Sequence, residues 1–74
     1  MIQKLFGKRV KKIRKEKGIK QKDFAESIGL DRSYYVDVEA GNRNISLINI
    51  EKIANGLEKS ISEIFENIQD ESND

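Results

Sequence analysis

The sequence predicts an all-α fold, a compact bundle of five helices. Three observations carry that expectation. Apolar residues recur three and four positions apart in five separate stretches, the spacing of one face of a helix. Gly18, Gly29 and Gly41 stand where three of these stretches end, and glycine tolerates the left-handed conformation that closes a helix. Asp31, Ser46 and Ser60 precede three stretches, and such side chains accept from the free amides of a first turn.

The elements follow in order. Phe6, Val10 and Ile13, bordered by Leu5, form the apolar face of a first helix over residues 2–17 that ends at Gly18. Its other faces are almost wholly basic, and Arg14 lies on the edge of the apolar one. Ile19 then enters the core. Gln21 opens a second helix whose inward residues are Phe24, Ala25 and Ile28. Lys20 occupies its cap position, so this helix is expected to start weakly, with Asp23 reaching back as half of a capping box. Gly29 ends it and Leu30 lies in the turn. Asp31 caps a third helix over residues 32–40, anchored by Tyr35 and Val38. Arg32, Ser33, Val36 and Asp37 point outward from it, with Tyr34 beside them. Gly41 to Asn44 form a loop of turn residues. Ser46 caps a fourth helix with the stripe Leu47, Ile50, Ile53, Ala54 and Leu57. Ile48 lies off that stripe, exposed or shared with a partner. Ser60 and Glu63 have capping-box spacing ahead of a short fifth helix carrying Ile61, Ile64, Phe65 and Ile68.

That last helix holds four large apolar groups, more than so small a domain is expected to bury. Ile61, Ile64, Phe65 and Ile68 are therefore assigned to a symmetric dimer interface; the alternative is a plug on the monomer core. Residues 1–68 form one domain, and 69–74, QDESND, are an acidic tail expected to be disordered.

Composition excludes several classes. The chain has 74 residues, one domain near the lower limit for an unstapled core. It has no cysteine and no histidine, which removes disulfides and the usual zinc sites. No apolar run approaches the roughly 20 residues that span a bilayer, and no signal peptide is evident. The net charge of +1 is uninformative, but its distribution is not. Ten basic residues against Glu16 alone lie between Lys4 and Lys22, and six acids against Lys59 follow from Glu58 onward. A basic front and an acidic back orient a protein toward a polyanion. Asp31, Asp37 and Glu39 are close in sequence, but Asp31 has a capping role and there is no His, Cys or glycine-rich phosphate loop, so no enzyme, cofactor or small-molecule ligand is expected.

A short helix with one face anchored and polar groups on the other suits insertion into a DNA major groove. The chain resembles the small lambda-repressor-like (Cro/repressor, XRE-type) helix-turn-helix proteins. The matching residues are Ile13-Arg14, Gly18, Gln21, Phe24-Ala25, Ile28-Gly29-Leu30, Asp31-Arg32-Ser33-Tyr34, Val38-Glu39, Gly41, Arg43-Asn44 and Ile53-Ala54. Within that family the run LDRSYY…VEAGNRNISL is most similar to the controller proteins of restriction–modification systems. Lys20 and Ile45 depart from the family pattern, which favours Ser or Thr and Pro there.

The resemblance implies roles. Arg14 and Glu39 form a partly buried structural ion pair between the first and third helices. Gln21, beside Lys22, donates to a phosphate at the start of the second helix, where the helix dipole adds positive charge. Arg32 and Ser33 sit where bases are contacted, Arg32 as a fork on guanine. Val36 meets a thymine methyl, and Tyr34 reaches a phosphate. Asp37 accepts from cytosine or holds Arg32 or Arg43 in position. Arg43 and Asn44 lie where controller-like relatives contact phosphate or base. The expected function is a sequence-specific transcriptional regulator in the cytoplasm, bound as a homodimer to a near-palindromic double-stranded operator. RNA polymerase is a further partner if it activates. The competing expectation is an antitoxin-type module that binds a toxin protein and autoregulates its operon.

Overall fold

Local chemistry sets the helix ends. The computed structural model describes residues 1–69. Within them lie α1 (Ile2–Glu16), α2 (Gln21–Ser27), α3 (Arg32–Glu39), α4 (Leu47–Gly56) and α5 (Ile61–Phe65). Gly18 and Gly29 adopt φ of +71° and +73° and turn the chain after α1 and α2. The Asp31 carboxylate accepts from the Tyr34 amide at 3.2 Å, and Ser46 Oγ accepts from Asn49 N–H at 3.1 Å. Ser60 and Glu63 complete a reciprocal capping box, with bonds of 3.0 and 2.8 Å. α2 alone of these later helices starts without a side-chain cap, at Lys20.

The apolar faces meet in one core. Phe6, Val10 and Ile13 of α1 pack with Phe24 and Ala25 of α2, Tyr35 and Val38 of α3, and Ile50, Ile53, Ala54 and Leu57 in and after α4. Phe24 and Tyr35 meet edge to face, ring centres 5.3 Å apart. α1 crosses close to the end of α3 at Gly7. A Cβ there would lie 2.4 Å from the Glu39 carbonyl oxygen and 2.6 Å from that of Val38. Gly56 plays a like part for α4, where a Cβ would meet Ile28 Cγ2 at 2.4 Å.

Two expectations about apolar residues are corrected. Ile64 and Ile68, assigned to a dimer interface, are 0% and 6% exposed and belong to the monomer core. α5 docks against α1, where Phe65, half-buried, stacks on Phe6 at 5.3 Å. Arg9 Nη1 holds that docking by donating to the carbonyls of Ile64 (3.1 Å) and Glu66 (2.8 Å). The plug on the monomer core, weighed as the alternative, is the arrangement found. Each such isoleucine contributes roughly 1.5–3 kcal/mol when fully buried, so a small domain gains from taking them in. Leu47, counted in the α4 stripe, is instead 81% exposed. It is the first residue of its helix and does not pack on the core. Ile48 and Ile61 are also at the surface, 68% and 45% exposed. Of the expected tail, Gln69 is exposed and residues 70–74 lie outside the described residues. No described helix is long and apolar enough to cross a membrane.

Candidate nucleic-acid interface

The site is built on α2, the turn after it and α3. Leu30 N–H donates to the Ala25 carbonyl at 3.0 Å, which closes the turn behind Gly29. Tyr35 and Val38 seat α3 in the core, at 0% and 2% exposure. Its other face is then fixed: Arg32 and Ser33 are exposed, while Tyr34, Val36 and Asp37 are half-buried beside them.

Glu39 is the hub beneath this surface. Arg14 clasps it with two bonds, Nε to Oε2 at 2.6 Å and Nη2 to Oε1 at 3.0 Å. Arg14 Nη1 also donates to the Ile19 carbonyl at 2.6 Å, so one guanidinium ties α1 to the segment before α2 and to α3. The Tyr35 hydroxyl donates to Oε2, and Gln21 Nε2 donates to Oε1 at 2.9 Å. Both members of the ion pair are buried. Burial alone would push the Glu39 carboxyl up. The bonds from Arg14, Tyr35 and Gln21 outweigh it and hold Glu39 below the usual carboxylate range. The bond to Glu39 raises Arg14, while burial and the bond to Glu39 raise the Tyr35 phenol far above its usual value.

Gln21 therefore differs from the simple phosphate donor expected of it. One of its N–H groups is committed to Glu39, and its second N–H and carbonyl are what remain for a ligand. Around it lies a shallow depression lined by Lys11, Arg14, Lys15, Lys20, Gln21, Lys22 and Arg32, with no carboxylate among its lining residues. This gathers the basic front of the chain at the start of α2, next to the first residue of α3. Not every cation of that front faces it. Arg9 is spent on α5, and Lys17 approaches Glu58 at 3.9 Å.

The opposite end of α3 carries a second group. Asp37 Oδ2 accepts from Arg43 Nη2 at 3.2 Å and from Nε at 3.3 Å. Of the two arginines that sequence offered Asp37 besides a cytosine, Arg43 is the one it meets. The Arg43 guanidinium lies over the Tyr34 ring, 5.3 Å from its centre. The Tyr34 hydroxyl accepts from Asn49 Nδ2 of α4 at 3.1 Å. Gly41, at φ +82°, and a bond from Asn42 N–H to the Asp37 carbonyl at 2.9 Å fix the loop that presents Arg43 and exposed Asn44. Asn49 escaped sequence reasoning, since a polar residue off the apolar stripe of its helix gives no sign of a partner fifteen residues away.

Asp31, Asp37 and Glu39 do not converge: the first caps α3, the second pairs with Arg43 and the third with Arg14. Among the described residues no three potential metal ligands come together.

The helix-turn-helix family profile matches residues 10–64. The control protein C.MunI of a Mycoplasma species is 51% identical over 67 residues, covering 89% of this chain and 90% of that protein. Among solved structures, the restriction-modification controller protein C.AhdI from Aeromonas hydrophila is 45% identical with a TM-score of 0.81, over 84% of this chain and 94% of that one. The restriction-modification controller protein C.Esp1396I, solved as a tetramer in complex with its natural 35 base-pair operator, is 35% identical with a TM-score of 0.87, over 100% of this chain and 97% of that one.

Proposed function

This chain belongs to the helix-turn-helix family, and from that premise we propose that it is a sequence-specific DNA-binding transcriptional regulator, the controller of a restriction–modification system. It acts in the cytoplasm and binds a near-palindromic operator as a homodimer, each subunit placing α3 in a major groove. Two-fold symmetry then sets half-sites about 34 Å apart. The observation that carries this reading is the exposed Arg32–Ser33 face beside a depression edged by Lys11, Lys15, Lys20 and Lys22. Phosphates bind the lysines, the free N–H of Gln21 and the start of α2, and supply affinity through counterion release. Arg32 and Ser33 read base edges, with Val36 against a thymine methyl. Tyr34, Arg43 and Asn44 extend the contact toward the flank. The relatives named as controllers, one of them solved on its operator, support this reading and lend none to an antitoxin. RNA polymerase joins as a partner where the regulator activates, and no catalytic step is assigned.

Because Ile64 and Ile68 are internal, the dimer is built from apolar groups at the surface, with Leu47, Ile48 and Ile61 the candidates. The direct test is selection of bound duplexes from a randomised library, followed by titration of the selected duplex and a scrambled one. Wild type should yield a two-fold symmetric motif. Arg32→Ala should lose about 1–3 kcal/mol of preference for it while keeping most of its affinity for scrambled duplex. Equal loss on both would remove Arg32 from base reading.

A further inference from the structure

We propose that Asp37 contacts no DNA but is a positioning residue, which together with Tyr34 and Asn49 aims Arg43 at a guanine. The inference rests on the operator-binding reading above and deepens it. A guanidinium has two usable edges. Asp37 occupies the side edge, Nε and Nη2, at 3.3 and 3.2 Å. What remains is the end edge, one Nη1 hydrogen and one Nη2 hydrogen, with no protein acceptor for Nη1 among the described residues. That edge is a two-pronged donor, the shape that fits guanine O6 and N7. The Arg43 Cζ lies over the Tyr34 ring, 5.3 Å from its centre, so the ring restricts where the fork can swing. The ring is itself held, because its hydroxyl accepts from Asn49 Nδ2 at 3.1 Å. α4, which carries none of the base-reading residues assigned above, thereby helps fix what the loop after α3 reads.

Charge points in the same direction. A bare carboxylate facing DNA repels phosphate, whereas Asp37 paired with Arg43 is neutralised. The pairing also draws Arg43 away from generic phosphate contact. An Arg43 released from Asp37 becomes a mobile cation that binds any duplex.

The experiment uses the duplex selected by wild-type protein and a scrambled duplex of equal length. Wild type, Asp37→Asn, Arg43→Ala, the double variant and Asn49→Ala are titrated by fluorescence anisotropy over a range of salt. Asp37→Asn should lose about tenfold or more in preference for the selected duplex, the size of one bidentate base contact. It should at the same time bind scrambled duplex more tightly, with a salt slope steeper by about one. A merely structural role would not move that slope. In the Arg43→Ala background, Asp37→Asn should change preference little, because its partner is gone. Asn49→Ala should lose preference in the same sense, by a smaller factor. Selection repeated with Arg43→Ala should lose a guanine from each half-site. Full preference retained by Asp37→Asn, or equal losses with and without Arg43, overturns the inference and leaves the regulator reading standing. Absence of any symmetric motif with wild type overturns both. Asp37 is half-exposed, so folding of each variant, followed by thermal melting, should match wild type.

Discussion

At the scale of single residues, Glu39 decides most. It is a buried carboxylate with four donors: two on Arg14, one on Tyr35 and one on Gln21. Removing one member of a buried pair is far costlier than the pair is worth, because the other charge is stranded. Arg14→Met should therefore cost about 3–5 kcal/mol, read as a fall in the melting temperature or outright loss of folding. Arg14→Met with Glu39→Met should recover part of that loss, since neither charge is then left behind; a double variant no better than the single would show the pair is not the unit. The network also sets a pH response. Glu39 titrates lower folded than unfolded. Its contribution is whole above the unfolded value, about 4.3, and is lost as pH falls through the lower folded one. Tyr35 is shifted upward, so its contribution is whole below about 10 and is lost above it. With no histidine in the chain, the melting temperature of this network should stay level between about pH 5 and 9 and fall on either side.

At the scale of elements, the packing of α1 on α3 depends on a missing side chain. Gly7 is helical, and Ala in a helix interior is ordinarily better than Gly by about 1 kcal/mol. Here the added methyl meets two carbonyl oxygens of α3 at 2.4 and 2.6 Å. Gly7→Ala should thus be net destabilising, by about 1–3 kcal/mol, whereas a rise in melting temperature would mean the helices can part without loss. Gly7 shows why only part of the fold was legible. The ends of α2, α3 and α5 could be read because Gly29, Asp31 and the Ser60–Glu63 box act within four residues of themselves. The inward faces of α1 and α3 could be read from their own spacing. Gly7 could not, because its reason lies in α3, more than thirty residues on. Nor could the fate of α5: whether Ile64 and Ile68 face inward depends on the hollow left between α1 and α4, which no local pattern encodes. For the same reason the outward set on α3 was legible, while the commitment of Gln21 to Glu39 and of Tyr34 to Asn49 was not. Sequence left Asp37 a cytosine, Arg32 or Arg43 as partner, and the loop geometry sets Arg43 beside it. The correction changes how dimerisation must be probed. Ile64→Asp places a carboxylate in the core and should unfold the chain, whereas Ile48→Asp should leave the fold intact and shift the protein to monomer in sedimentation. An intact dimer in Ile48→Asp would move the interface away from the start of α4.

At the scale of the whole molecule, the division of charge has two uses that sequence could not separate. Lys11, Lys15, Lys20 and Lys22 line one depression beside Arg32, where a passing phosphate backbone would meet them. Arg9 belongs to the same basic run, yet its guanidinium is turned to the carbonyls of Ile64 and Glu66 at the far end of the chain. The first group should act on DNA through counterion release and the second on the fold. Lys15→Ala, Lys20→Ala and Lys22→Ala, taken singly, should each weaken operator and scrambled duplex alike. Each should also lower the slope of log K against log salt by about one. Their melting temperatures should stay near wild type, because these lysines are exposed and surface substitutions usually stay within about 0.5 kcal/mol. Arg9→Ala should do the reverse, lowering the melting temperature as α5 loosens while the salt slope stays put. An Arg9 variant with an altered slope and unchanged stability would place that arginine on the DNA and return α5 to packing alone.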